Sequence, residues 1–444
     1  MDTELFQPQQ YLTPKWYYFK DSKLGKIYDS IPWDQLADCL PEDNKGPGAP
    51  RWFSASGMFG LMFLKSYLSI SDEKLIERFN TDWSLQLFCN KLLRDCQKIR
   101  DKAIVSRIRS YIAEHTDWQE LQDVLIKHWK RDMNNTHVLL MDATCYESYI
   151  RFPTDVKLLW ESCHWIFEKQ LYRWCRTLGL KRPRAKYLDQ KRLQLDFDRR
   201  RKKPFKLAMK RKRALIYLLA KGINQFQSIL DTHPTITMNQ AERTYLRTIK
   251  KVLEQQQFLL THPAKELKDR IVSLPKPYVR PIIRGKETKR VEFGMKVHML
   301  QVDGICMIDH MSYNAFNEST RLKISSLKHR SIFGKLFQLG ADRIYATNAN
   351  RKYLTDKKVF TNFPRKGIQI DTKAEKKLRS LIASQRATVM EGSFGVHKNS
   401  YGLNKVKAKS MKSEMVWVFF GVMTANAVKI SRQISASPPL PQAA

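Results

Sequence analysis

The chain has 444 residues, room for about two to four domains, and its 43% hydrophobic, 11% aromatic and 27% charged residues are a globular composition, not a disordered or fibrous one. Its 79 Lys and Arg against 43 Asp and Glu leave a formal net charge of +36, an excess that opposes compaction unless a polyanion shares it, and nucleic acid is the commonest such partner. No run approaches the roughly 18 apolar residues of a membrane span; the longest, Met415 to Met423, is expected to be a core helix, and the amino terminus shows no secretory signal, so a reduced intracellular setting is expected.

The first fifty residues are aromatic and proline-containing and close with the loop Asp43 to Gly48. From Ser54 to about Met133 the apolar spacing is helical, with Met58, Leu61, Met62, Leu64 and Leu68 on one face. Ser71 reads as an N-cap with acids in the first turn, Thr81-Asp82 opens a short helix, and Asp101 and Asp117 cap two more. Such short helices suit a helix-turn-helix-like DNA module and a plain helical support equally well.

At His137 the texture changes. Val138 to Met141 is a short apolar run, as expected of a buried strand, and it ends at Asp142. Helical pattern returns after Thr154 and extends to about Leu274, with two long helices near 208–231 and 238–260 forming a hairpin. Residues 181–213 carry 16 Lys or Arg against 3 Asp, densest at Arg199, Arg200, Arg201, Lys202, Lys203 and at Lys210, Arg211, Lys212, Arg213. That excess points to phosphate contacts rather than an ordinary solvated face, whereas Trp165, Tyr172, Trp174 and Tyr187 nearby are expected in the core. Val291 to Met299 alternates like a strand, Asp303-Gly304 supplies a hairpin turn before Ile305 to Ile308, and a helix follows from Asn317. An acid at Asp342, a strand at Val359 to Phe363 and a helical tail from about Glu375 to Ile430 complete the pattern.

Seven cysteines include no C-x-x-C, and no His pair completes a zinc spacing. Phosphate-loop, dinucleotide-fold, zinc-protease and serine-hydrolase motifs are also missing. What remains is carboxylate chemistry. With the helical block removed, the order strand, hairpin, helix, strand, strand, helices matches a ribonuclease-H-like core. A two-metal site for hydrolysing phosphodiesters needs hard oxygen ligands converging from rigid elements. Asp142, Asp342 and Glu391 stand where such a core puts them, and Asp309, Glu414, Asp155 and Glu147 are expected to be structural or solvated instead.

Four stretches carry a resemblance: Leu140-Met141-Asp142-Ala143-Thr144, Arg151-Phe152-Pro153-Thr154-Asp155, Ala341-Asp342-Arg343-Ile344-Tyr345 with Asn350 to Tyr353, and Glu391-Gly392-Ser393-Phe394-Gly395. Together they resemble bacterial insertion-sequence transposases of the DDE class, over most of the chain. The region around 54–130, including Leu68 to Asp72, is similar to the N-terminal domain of that group. The chain departs from the group at Ile344, where Gly is frequent, and at Tyr313 to Ser319; neither change removes an acid.

The resemblance implies an α+β protein: a ribonuclease-H-like mixed five-stranded sheet flanked by helices, with an N-terminal all-helical domain and a large helical insertion. The expected divisions are an arm at 1–53, a DNA-binding domain at 54–134, a catalytic domain at 135–160 and 286–432, the basic insertion at 161–285 and a disordered tail at 433–444. It also implies Asp142, Asp342 and Glu391 as catalytic ligands of two Mg²⁺ ions, for which Mn²⁺ would substitute. Lys398, two turns beyond Glu391 on the same helix face, and Arg386 are expected to contact DNA with the basic clusters. The expected partners are double-stranded DNA, as element ends and target, and a second copy of the chain on paired ends, without a membrane; the expected location is the cytoplasm and, when bound, the nucleoid. The alternative is a catalytically silent or domesticated relic that binds DNA.

Overall fold

The computed structural model describes residues 14–41, 51–94, 96–263, 265–283, 291–367 and 371–436; the expected loop at Asp43 to Gly48 lies outside them. Two units emerge, Met1–Tyr149 with Met295–Ala444, and Ile150–Gly294.

The first unit begins with α1 (Pro14–Asp21), α2 (Lys23–Asp29), α3 (Trp33–Ala37), α4 (Ala55–Leu68), α5 (Asp72–Phe79), α6 (Trp83–Phe88), α7 (Ile104–His115) and α8 (Trp118–Trp129). Side-chain caps set most of these starts. Ser54, Ser71, Asp82 and Asp117 each accept a hydrogen bond from a backbone N–H two or three residues on, satisfying a donor the helix cannot. Asp101 instead accepts from Ala103 N just before α7, so it forms the turn that leads into the helix. Strand β1 (Val138–Ser148) follows. It runs well past the expected end at Asp142, because its polar half is buried with partners: Glu147 meets Lys405, and Ser148 Oγ donates to Glu414.

The second unit holds α9 (Asp155–His164), a π-helical turn at Trp165–Leu171, α10 (Tyr172–Thr177), α11 (Tyr187–Arg199), α12 (Phe205–Thr232), α13 (Gln240–Thr261) and β2 (Arg280–Ile283). The hairpin of α12 and α13 is present as expected, its second helix opened by a capping box at Asn239 and Glu242. Its core is aliphatic and aromatic, with Phe167 and Tyr187 stacked 4.9 Å apart. Tyr187 is buried, and Trp165, Tyr172 and Trp174 pack against that core, as expected.

The chain returns to the first unit through β3 (Val291–Val302), whose first residues pair with β2 in the second. β4 (Ile305–Ser312), α14 (Leu322–Phe333), β5 (Gln338–Gly340), α15 (Asn348–Asp356), β6 (Phe360–Thr361), α16 (Lys373–Gln385), α17 (Glu391–Ser400), β7 (Lys405–Val406) and α18 (Met411–Ala436) complete it. Asp303 and Gly304 both take positive φ, 50° and 75°, as a tight hairpin requires. The sheet of this unit is mixed, in the order β4-β3-β1-β5-β6. β3 and β4 are antiparallel, β1, β5 and β6 parallel, and β7 joins the far end of β1. The edge strand β4 is closed by side chains: Gln122 of α8 bonds both the N–H and the carbonyl of Ile308, and Asn426 of α18 does the same for Cys306. Helix α18 packs on α4, α7 and β4, and the apolar run Met415 to Met423 lies within it. It continues to Ala436, so residues 433–436 of the expected disordered tail are helical; 437–444 lie outside the described residues.

Candidate active site

Three elements of the first unit converge. Asp142 sits in the middle of β1, largely buried. The parallel register pairs Leu140 with Gly340, so two residues further on Asp342 comes level with Asp142. Gly340 is needed there, since a Cβ would come within 2.7 Å of Leu140 Cδ2 and 2.8 Å of Ile382 Cγ2. That contact seats α16 directly on β5. Beyond α16 the chain forms a π-helical turn, Arg386–Met390, before α17 opens with Glu391. A π turn bonds residues five apart, which brings Arg386 and Glu391 onto one side.

The three acids meet at one guanidinium. Arg386 Nη2 donates to Asp142 Oδ2 at 2.9 Å and lies 3.9 Å from Asp342 Oδ2, while Nη1 lies 3.5 Å from Glu391 Oε1. The Arg386 and Asp142 side chains are 17% and 13% exposed, those of Asp342 and Glu391 55% each. The strongest pair is therefore sheltered and the other two face water. Burial pushes the Asp142 carboxyl above the usual carboxylate range; Arg386 and the Ala143 N–H pull against it, and the charges of Glu318 and Asp342 add to the rise. Arg386 Nε is buried without a hydrogen-bond partner. The expected DNA contact Arg386 is thus, in this structure, the counter-ion of the acids.

All three acids offer hard oxygen donors, the set a divalent ion such as Mg²⁺ requires. Among the described residues no three His, Cys, Asp or Glu side chains stand close enough to hold a metal ion as they are. The carboxylates are gathered around Arg386 instead.

A buried network, which sequence pattern alone does not reveal, ends at Glu318, whose charge Asp142 feels. Asp309 Oδ2 accepts from His298 Nδ1 at 2.9 Å, from Arg321 Nη2 at 3.0 Å and from Ser325 Oγ at 3.0 Å. Burial alone would raise the Asp309 carboxyl, but His298 and then Arg321 bring it down to about 2. His298 Nε2 lies 2.9 Å from the Tyr345 hydroxyl, which also bonds Glu318, and Glu318 pairs with Lys296 at 2.7 Å. Lys296 and His298 share a face of β3 by the strand period, the one signal in the sequence that links them. Asp309, expected to be structural, is buried among these partners. Glu414 accepts from Ser148 and Tyr313 within the core, Glu147 pairs with Lys405, and Asp155, in the second unit, pairs with Lys212 and Arg270.

The basic residues divide. Arg199 to Lys203 are exposed, as are Lys210 and Arg213. Arg211 and Lys212 are turned inward at 5% exposure each, Arg211 to Gln190 and Gln194, Lys212 to Asp155. Four consecutive residues of a helix span all its faces, so this cluster offers two outward cations and not the expected four. Lys398, on α17, lies with its Nζ 5.9 Å from the Tyr146 ring.

Among the described residues no helix is long and apolar enough to cross a membrane. No curated protein and no solved structure matches the chain. Residues 15–111, which run from α1 into α7, match the family model described as Transposase domain (DUF772), and that match supports a transposase, a nucleic-acid-processing protein whose partner is DNA.

Proposed function

We propose that the chain is a DDE transposase that cleaves DNA at element ends and joins the freed 3′-hydroxyl to target DNA, with Asp142, Asp342 and Glu391 as its catalytic acids. The observation that carries this reading is the convergence of those three acids, from β1, the end of β5 and the start of α17, on the single guanidinium of Arg386. The sheet order β4-β3-β1-β5-β6, with β3 and β4 antiparallel and β1, β5 and β6 parallel, supports a ribonuclease-H-like core, and the transposase-domain match supports the reaction class.

In this reading Asp142, Asp342 and Glu391 hold two Mg²⁺ ions. Such ions, when bound, supply Lewis-acid activation of the attacking oxygen and charge stabilisation for the departing one. The protein supplies position. Asp142 is fixed by β1, while Asp342 and Glu391, half exposed, remain open to solvent and substrate. Arg386, once released from the acids, offers a planar fork suited to a phosphate. No side chain need form a covalent bond to DNA. Two element ends handled together call for a dimer, and the exposed cations of Arg199 to Lys203, Lys210 and Arg213 supply sequence-independent attraction to the duplex.

The test is a joining reaction. A duplex ending in a free 3′-hydroxyl and carrying the DNA that flanks the coding region is incubated with the chain, Mg²⁺ and a supercoiled target plasmid. Joined products that vanish with Asp142→Asn, Asp342→Asn or Glu391→Gln are expected. Cleavage without joining would make the protein a nuclease of the same core.

A further inference from the structure

A cleft of about 710 Å³ opens in the first unit, apart from the three acids. One wall comes from α4, α5 and α7, the other from the segment that links α17 to α18. Seven cations line it, Lys65, Lys102, Arg109, Lys398, Lys405, Lys407 and Lys409, against the single acid Asp72.

That acid is already spent. Arg109 Nη2 reaches both Asp72 oxygens, at 3.1 and 3.2 Å, and Lys65 Nζ lies 3.0 Å from Oδ1. The same two cations cover the Trp417 ring, at 4.3 Å for Arg109 and 5.0 Å for Lys65. Trp417, which reaches the cleft from α18, thus already carries two cations on its ring. The walls meet where Gly402, at φ 71°, turns the chain against Ser69, and where Trp417 Nε1 donates to the Gly402 carbonyl at 3.2 Å. Opposite, Lys405, Lys407 and Lys409 alternate with buried Val406 and Ala408. Alternation with a rise of about 3.4 Å per residue sets the lysines about 7 Å apart along one side. Lys405 pairs with Glu147; no described acid pairs with Lys407 or Lys409, and both are exposed.

The chemistry is that of a phosphate track: seven cations against one acid that two of them already hold. Its place follows from α17. Lys398 lines the cleft seven residues after Glu391, about 10 Å along the helix, so the cleft opens within a few nucleotides' reach of the acids. We propose that this cleft binds the sugar–phosphate backbone of the DNA being cut, a few nucleotides from the phosphate at the acids, independently of base sequence. The proposal rests on the transposase reading for the presence of that phosphate.

Binding is measured on the full chain without divalent metal, by fluorescence anisotropy of labelled duplexes from 50 to 200 mM salt. Lys407→Ala/Lys409→Ala is expected to weaken binding to all duplexes alike and to reduce the slope of log K against log salt by about 1.8, two contacts at 0.9 each. Over that fourfold range the wild-type chain then loses about tenfold more affinity than the variant. Lys407→Arg/Lys409→Arg is expected to restore the slope, which a general loss of folding would not allow. On a cleaved end, neutral methylphosphonates are placed one position at a time. The loss is expected to peak within a few nucleotides of the cut and to shrink in the alanine variant. An unchanged slope in the alanine variant overturns the proposal. So does a loss of tripolyphosphate binding with duplex binding intact, which would make the cleft a site for a small polyphosphate. Because binding is read without metal, it can succeed where joining fails, and the two readings fall separately.

Discussion

Replacing Arg386 with Met keeps the stem of the side chain and removes the charge around which the three acids gather. The main loss is the charge-assisted hydrogen bond to Asp142 at 2.9 Å, worth about 1.5–3 kcal/mol when sheltered. The contacts to Asp342 and Glu391 are longer and involve carboxylates that are 55% exposed, so solvent screening leaves only a few tenths of a kcal/mol in each. Against this, the variant no longer buries the unpaired Nε. The net cost to the metal-free protein is about 1–2 kcal/mol, a fall in melting temperature of about 2–3 °C. A divalent ion entering the site has to displace the same guanidinium, so the same 1–2 kcal/mol returns as tighter metal binding, about five- to thirtyfold. Mn²⁺ titration followed by electron paramagnetic resonance, with melting curves with and without the ion, measures both quantities on one sample. The expected result is a less stable metal-free protein that binds Mn²⁺ more tightly. Unchanged Mn²⁺ affinity with unchanged melting would refute the placement of Arg386 as the stand-in cation, and weaker DNA binding as the sole effect would make it a phosphate contact only.

Other expectations concern charge and burial. Asp309→Asn leaves Arg321 and His298 around a buried neutral amide and is expected to cost about 3–5 kcal/mol at neutral pH. Because the folded carboxyl is lowered to about 2, part of that contribution is present above the ordinary value near 3.8 and fades as pH falls toward 2, so denaturant melts of the wild type and variant should draw together by about 2 kcal/mol there. His397, buried beside the Tyr146 hydroxyl at 2.9 Å, is pushed down to about 3 by burial. The unfolded chain therefore takes up a proton near 6.5 that the folded chain refuses, and His397→Gln is expected to reduce the loss of stability between pH 6.5 and 3 by up to about 1.4 kcal/mol per pH unit. Lys210→Ala/Arg213→Ala should lower the salt slope of DNA binding by up to about 1.8. Arg211→Ala and Lys212→Ala, which remove buried partners of Gln190, Gln194 and Asp155, should instead lower the melting temperature and leave that slope alone.

Local chemistry was legible where one residue determines the outcome. Ser71, Asp82 and Asp117 cap the helices they announce, and Asp303-Gly304 makes the hairpin turn, because each acts on backbone groups two or three residues away. The long basic helices and the core helix at Met415 to Met423 followed from periodicity alone. Partners from elsewhere in the chain were not legible. The apolar run stops at Met141, yet β1 continues to Ser148 because Arg386, Lys405 and Glu414 satisfy its polar half. The inward turn of Arg211 and Lys212 depends on Gln190 and Asp155, which no count of charge reveals. At the site, the positions of Asp142, Asp342 and Glu391 came from element order and resemblance. The guanidinium among them did not, because a π-helical turn sets the phase of Arg386 against Glu391 and leaves no mark in apolar spacing.

Hydrolysis by one variant tests the three acids most directly. Duplexes carrying the DNA that flanks the coding region are incubated with Mg²⁺ and either the wild-type chain or Asp342→Asn. This carboxylate is half exposed and meets Arg386 only at 3.9 Å, so its loss should leave the fold and metal-free DNA binding intact. The expected result is strand cleavage by the wild type, none by the variant, and equal DNA affinity for both. Cleavage by Asp342→Asn at the wild-type rate would contradict the assignment of the three acids.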